Sequence, residues 1–143
     1  MEIKKLSPEE FEEIYTKVPR ICVEVVIQNE NGILLTKRQI EPSKGLWHFP
    51  GGGVLFGETL EETVKRIAKE ELNLNVEIIK FLGTIEYPEK QEIFGHTISL
   101  AYLVKVNPGE IKLNWQASEF GFFKEIPENT ISAYKRFIEE NLL

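Results

Sequence analysis

Little in this chain speaks for cross-linking, membranes or polyanions. Cys22 is its single cysteine, so no internal disulfide can form and a disulfide-stapled scaffold is excluded. Such sparing use of cysteine suits a reducing compartment, and the expected location is the cytoplasm. No apolar run approaches the roughly 18 residues that a spanning helix needs, so no membrane association is expected. The N-terminal residues show no signal-peptide pattern of basic, apolar and small segments. There is no basic excess either: the formal net charge is −6, which argues against a general nucleic-acid binder. An acidic protein can still act on phosphates if metal ions or a local Arg/Lys cluster offset the repulsion. Repeats, low-complexity tracts and linkers are absent too. What remains is 143 residues, 42% hydrophobic and 28% charged, the size and composition of one globular domain over residues 1–143. A chain of this length buries roughly two thirds of its unfolded surface.

Local signals set the order of elements. Ser7-Pro8-Glu9-Glu10 is a helix start, with Ser7 as cap, Pro8 in the first turn and Glu10 closing a capping box. That helix is expected to end near Val18. ICVEVVIQ and ILLTKR flank Asn29-Glu30-Asn31-Gly32, a hairpin signal. Thr59 with Glu62 forms a second capping box and starts a helix from about Leu60 to Leu72. Asn73 suits the left-handed position that follows. VEIIKFLGTIEY, TISLAYLVKV and EIKLNW then read as strands, FGFF as a short further strand, and TISAYKRFIEENLL as an amphipathic helix. Helix, strands, helix, strands, helix points to an α+β fold in which helices cover a mixed sheet.

The informative stretch is GGGVLFGETLEETVKRIAKEELNL, residues 51–74. At about 100° per residue, Leu60, Val64, Ile67 and Leu74 share one apolar stripe, and Glu71 lies in its middle. An unpaired carboxylate there costs several kcal/mol unless it is protonated, paired or bound to a metal. A frayed helix end that exposes Glu71 is the ordinary alternative. Glu70 sits at the rim beside Arg66, and hard divalent cations favour such oxygen clusters. Gly51-Gly52-Gly53 lets backbone approach a ligand closely, although it also serves as a plain tight turn. Glu62, Arg66 and Glu70, four apart, read as a surface ion-pair ladder.

These residues resemble the signature of the Nudix hydrolases. Gly52, Glu58, Arg66, Ala68, Glu70, Glu71 and Leu74 fall at the family's spacing, and ILLTKR, GLWHFPGGGV and GETLEE around them are also similar. The resemblance runs from about Ile21 to Phe123 and implies an α/β/α sandwich with a mixed central sheet. It also implies Mg²⁺, with Mn²⁺ as a substitute, a small-molecule nucleotide substrate, and the homodimer that is common in the family. Asn73 replaces the motif's glycine without consequence. Ile67 replaces a carboxylate that in most of the family helps bind metal, which implies fewer ions, down to one.

An apolar residue at that position also marks the GDP-mannose mannosyl hydrolase branch, where water attacks the anomeric carbon instead of phosphorus. The resemblance to this branch implies that a Gly51 carbonyl, Glu71 and Gln116 hold one Mg²⁺, and adjacent Glu70 is counted with them as a metal-binding residue. It makes Glu24 an acid that contacts substrate and Arg38 a phosphate contact, with Gly52 beside them. Three features depart from the branch. Ala117 stands where it has its general-base His, Gly53 where it has Arg, and Tyr102 is displaced. Glu119, expected in the same loop as Gln116, and His96 are the replacement bases to consider, although His96 also reads as a surface loop residue. Arg66, Glu70, Glu71 and Glu119 are therefore the catalytic candidates. Glu24 equally reads as solvent-facing on a half-exposed sheet, and Arg38 as a solvated strand end. Trp47 and Phe49 read as packing groups, with His48 exposed beside them.

Two further readings stand beside hydrolysis of a nucleotide sugar at carbon. One is P–O cleavage of a nucleotide sugar or nucleoside triphosphate. The other, from a different class, is a nucleotide-binding module in which Ile67 and Ala117 mark a site without turnover.

Overall fold

The computed structural model describes residues 5–88 and 95–142. The elements, in chain order, are α1 (Pro8–Tyr15), β1 (Arg20–Val26), β2 (Gln28–Asn29), β3 (Gly32–Arg38), β4 (Trp47–His48) and β5 (Gly51–Gly53). They continue with α2 (Leu60–Leu72), β6 (Val76–Glu86), β7 (Thr97–Val106), β8 (Ala117–Phe123) and α3 (Ser132–Asn141).

Two sheets form the centre. One has the order β5-β1-β7-β6, with β1 and β7 parallel and the other pairs antiparallel. The other joins β2, β3 and β4, with β8 also paired to β3. Alternation along β1 sends Val23 and Val25 to the side of α2, where they pack with Val64, Ile67, Ala68 and Leu72. Val26 faces the opposite side and packs with Phe49, Tyr134, Phe137 and Ile138. The result is the expected α+β sandwich, with a helix over each side of a mixed sheet layer.

The punctuation signals act largely as read. Ser7 and Glu10 complete their reciprocal capping box. The Thr59 side chain accepts the Glu62 N–H at 3.1 Å, and Asn73 adopts φ 61°. Three boundaries differ. Helix α1 stops at Tyr15, because Thr16 takes the C-cap and its hydroxyl donates to the Glu12 carbonyl at 2.8 Å. EIKLNW forms no strand. Lys112 instead donates its N–H to the Leu72 carbonyl at 3.0 Å, satisfying the end of α2, while Ile111 and Leu113 pack on the α2-side core. The FGFF strand is longer than expected and begins at Ala117.

Candidate active site

Helix α2 separates two kinds of acid. On its outer flank, Arg66 reaches back to Glu58 with Nε–Oε2 2.6 Å and Nη2–Oε1 3.0 Å, and donates to the Gly53 carbonyl at 2.8 Å. It also meets Glu70 at 3.2 Å, and Lys5 meets the same Glu70 oxygen at 3.1 Å. Burial tends to raise the Glu58 carboxyl, but hydrogen bonds from Arg66, the Leu55 N–H and Thr63 outweigh it and hold the group below its ordinary value. The described ladder on this flank is therefore Glu58–Arg66–Glu70, with Glu58 in the place expected of Glu62. The fork also ties the helix to the glycine strand.

Glu71 points the other way. It is 8% exposed, so the helix end is not frayed. Burial, then the charge of Glu24, lifts its carboxyl to about 8, against the opposing pull of Arg38 and the Gly51 N–H. Glu24 does not face solvent either, being 3% exposed. The correction has a simple cause: α3 covers this face of β1. Tyr134, Ser99 and Tyr87 hydroxyls donate to its Oε1 at 2.7, 2.9 and 3.1 Å. The other oxygen, Oε2, is buried with no hydrogen-bond partner. Burial pushes this carboxyl up to about 7, although the three hydroxyls and Arg20 favour its charged form.

Two clefts of about 450 and 470 Å³ share Arg20, Gly51, Gly52, Glu71 and Gln116 in their walls. The first adds Glu24, Arg38 and His48; the second adds Arg66, Ile67 and Glu70. The expected Gly51, Gln116, Glu71, Glu24 and Arg38 are thus gathered around one cleft. Glu70 lies on the rim of the other, within its ion pairs. Arg38 lies at the strand end with Nε donating to the Pro42 carbonyl at 2.6 Å. Burial lowers its pKa somewhat, against the charges of Tyr134, Glu71, Glu24 and Glu41.

Other expectations need correction. Glu119 is not in a loop with Gln116. It is exposed on β8 opposite Lys37 and is not among the residues forming either cleft. His96 is exposed, in line with its surface reading, and lies outside both clefts, so it does not serve as the base there; most of the segment before it, residues 89–94, lies outside the described residues. His48 is buried instead of exposed. Its Nδ1 donates to the Phe49 carbonyl at 2.5 Å and Nε2 faces the Thr36 hydroxyl at 3.3 Å. Desolvation, then Arg38, depresses its pKa to about 3, so it is neutral. Trp47 and Phe49 are core residues, as read. Tyr87, Ser99 and Tyr134 were missed. Only the hydroxyl on the apolar stripe of α3 hinted at Tyr134, and nothing local hinted at the other two.

Among the described residues, no three His, Cys, Asp or Glu side chains gather as a metal cluster. The donors nevertheless fit a hard cation. They are oxygen groups around one cleft, Glu71 is buried, and Glu24 keeps one buried oxygen without a partner. The position of the missing carboxylate is filled by an apolar group. Ile67 is 4% exposed, and its Cδ1 lies 2.7 Å from where a Gly52 side chain would begin. Space at Gly51 is tighter still: a Cβ there would sit 2.0 Å from Glu24 Oε2 and 2.7 Å from the Val23 carbonyl oxygen, so only glycine fits.

The glycine strand β5 is thus fixed by the Arg66 fork to a helix that buries one acid. The family model of the NUDIX domain matches residues 18–140, and the chain belongs to the Nudix hydrolase family. It is similar to the low-salt glycan biosynthesis protein Agl8 of Haloferax volcanii, 31% identical over 94% of this chain and 90% of that protein. It is also similar to the ADP-ribose pyrophosphatase of Methanocaldococcus jannaschii, 40% identical over 73% of this chain and 62% of that protein. In three dimensions it resembles the MutT Nudix hydrolase of Burkholderia pseudomallei, with TM-score 0.79 and 26% identity, over 89% of this chain and all of that one. No described helix is long and apolar enough to cross a membrane.

Proposed function

We propose that this single domain hydrolyses a nucleoside diphosphate linked to a sugar, with Mg²⁺ as cofactor and Mn²⁺ as substitute, and that it works in the cytoplasm. The observation that carries the reading is the buried Glu71 in a cleft that also holds Gly51, Gln116 and Arg38. Glu71, the Gly51 carbonyl and the Gln116 amide would hold the ion, and Arg38 would take a phosphate oxygen. When bound, the ion supplies Lewis-acid charge that neutralises the diphosphate and improves the leaving group. Arg66 acts at a distance from the bond broken: its fork to Glu58 and Gly53 sets the position of the glycine backbone.

Cleavage at the anomeric carbon, as in GDP-mannose hydrolysis, is supported by Ile67 in the place of a metal-binding carboxylate. The name of the Haloferax volcanii relative, a glycan biosynthesis protein, agrees with a sugar substrate. Cleavage at phosphorus is the second reading, and the 40% identity to an ADP-ribose pyrophosphatase favours it. A panel of nucleotide sugars with Mg²⁺, read by phosphorus NMR and a reducing-sugar assay, separates them. Nucleoside diphosphate plus free sugar is the expected result, while nucleoside monophosphate plus sugar phosphate supports the second reading. Thermal stabilisation by nucleotide and Mg²⁺ without any product would mean a binding module instead.

A further inference from the structure

Glu24 has an arrangement that substrate contact alone does not account for. A carboxylate has two oxygens, and here all three hydroxyl donors converge on Oε1. Oε2 is sealed from solvent with no donor at all. A buried acceptor left unmatched costs free energy, while the three-hydroxyl clamp fixes the group in one orientation. That orientation sets Oε2 against Gly51: β1 and β5 pair Glu24 with Gly51 in register, and the missing Gly51 side chain makes the approach. The Gly51 N–H meanwhile leans on Glu71. Glu24, Gly51 and Glu71 therefore line the wall of a single cleft.

We propose that Glu24 is a direct ligand of the divalent cation, its Oε2 joining Glu71 and the Gly51 carbonyl and taking the place of the acid lost at Ile67. The inference rests on the metal-dependent reading given above. A cation in this cleft would satisfy the unmatched oxygen of Glu24. The Tyr87, Ser99 and Tyr134 hydroxyls then position the ligand through its other oxygen, as partners behind a metal ligand do. Because Glu24 comes from β1 and Glu71 from α2, the ion would also tie the helix to the sheet.

Mn²⁺ serves as the probe, with no nucleotide present, and electron paramagnetic resonance measures free and bound ion. Glu24→Gln keeps the shape and the hydroxyl contacts, and its circular dichroism spectrum should match that of the wild type. Mn²⁺ affinity is expected to fall at least about tenfold in Glu24→Gln. Wild-type affinity in that variant, alongside loss in Glu71→Gln, overturns the role of Glu24 and leaves the metal-dependent reading intact. Failure of the wild type to bind Mn²⁺ overturns both. A second measurement needs no variant: electron–nuclear double resonance on wild-type protein labelled with ¹³C at the glutamate carboxyls. Two strongly coupled carboxyl carbons are expected, and one contradicts the proposal.

Discussion

On one flank of α2, Glu58 and Glu70 share the guanidinium of Arg66, and half-buried Glu58 is held below its ordinary carboxylate value. On the other, Glu71 and Glu24 face a common cleft with no such fork between them, and both carboxyls are pushed up, to about 8 and about 7. The two flanks carry the same residue type at different depths: Glu70 is exposed and Glu58 half-buried, whereas Glu71 and Glu24 are buried. Burial raises the second pair, and the partner differs as well: a cation supplied by the chain saturates the first pair, and the second lacks a cation of equal reach. Acids that fold without help are structural, and acids that fold under repulsion mark the place for a ligand.

The comparison can be broken from either side. The largest effect is expected from Glu71→Gln, which should lower metal-dependent turnover by at least about a hundredfold. In chelator-treated protein the same change should leave the melting temperature unchanged or raise it, since it removes a repelling buried acid. Retained turnover in steady-state assays contradicts the ligand role. Arg66→Ala acts on the opposite flank and leaves half-buried Glu58 with only the Leu55 N–H and the Thr63 hydroxyl, at a cost of about 1–2 kcal/mol in denaturant unfolding. Arg66→Ala with Glu58→Gln should recover part of that loss, and a double variant no better than the single one would show that the pair does not hold the fork.

Smaller effects sharpen the account. His48 is buried and neutral with a pKa of about 3 against an ordinary 6.5. Its contribution to stability is present above pH 6.5 and is lost as pH falls below it, because the unfolded chain then binds a proton the folded chain resists. The loss should reach about 2 kcal/mol at pH 5. The raised carboxyls of Glu24 and Glu71 add a slope of opposite sign that wild type and His48→Gln have in common. The difference between the two unfolding curves therefore isolates the histidine, and a pH-independent difference contradicts its burial as a neutral group. Ile67→Glu should add one Mn²⁺ per chain by restoring an acid beside Gly52, and unchanged stoichiometry contradicts the account of Ile67.

On the flank held by Arg66, helical spacing alone brings Arg66 and Glu70 together and was easy to read, but Glu58 lies before α2, outside any helical spacing, so Glu62 was expected in its place. Glu71 was legible for the same reason: a charge on an apolar stripe is visible to a helical projection. Glu24 was not. Its burial depends on α3, more than a hundred residues later, whose Tyr134 reaches across to it. No local pattern encodes that contact. His48 was misread because a single histidine between two aromatic packing groups looks the same whether its own face is covered or open. Glu119 was misplaced since the short FGFF signal understated β8, which pairs with β3 from Ala117 onward and carries the residue away from Gln116. Alternation in EIKLNW was real but is spent on packing against α2, not on a ladder.

The most direct test of the contrast is a Mn²⁺ titration, followed by electron paramagnetic resonance, of the wild type, Glu71→Gln and Glu70→Gln. The account predicts that Glu71→Gln weakens binding by about a hundredfold and that Glu70→Gln leaves it within about threefold. The reverse order would place the cation on the flank already held by Arg66, and would contradict it.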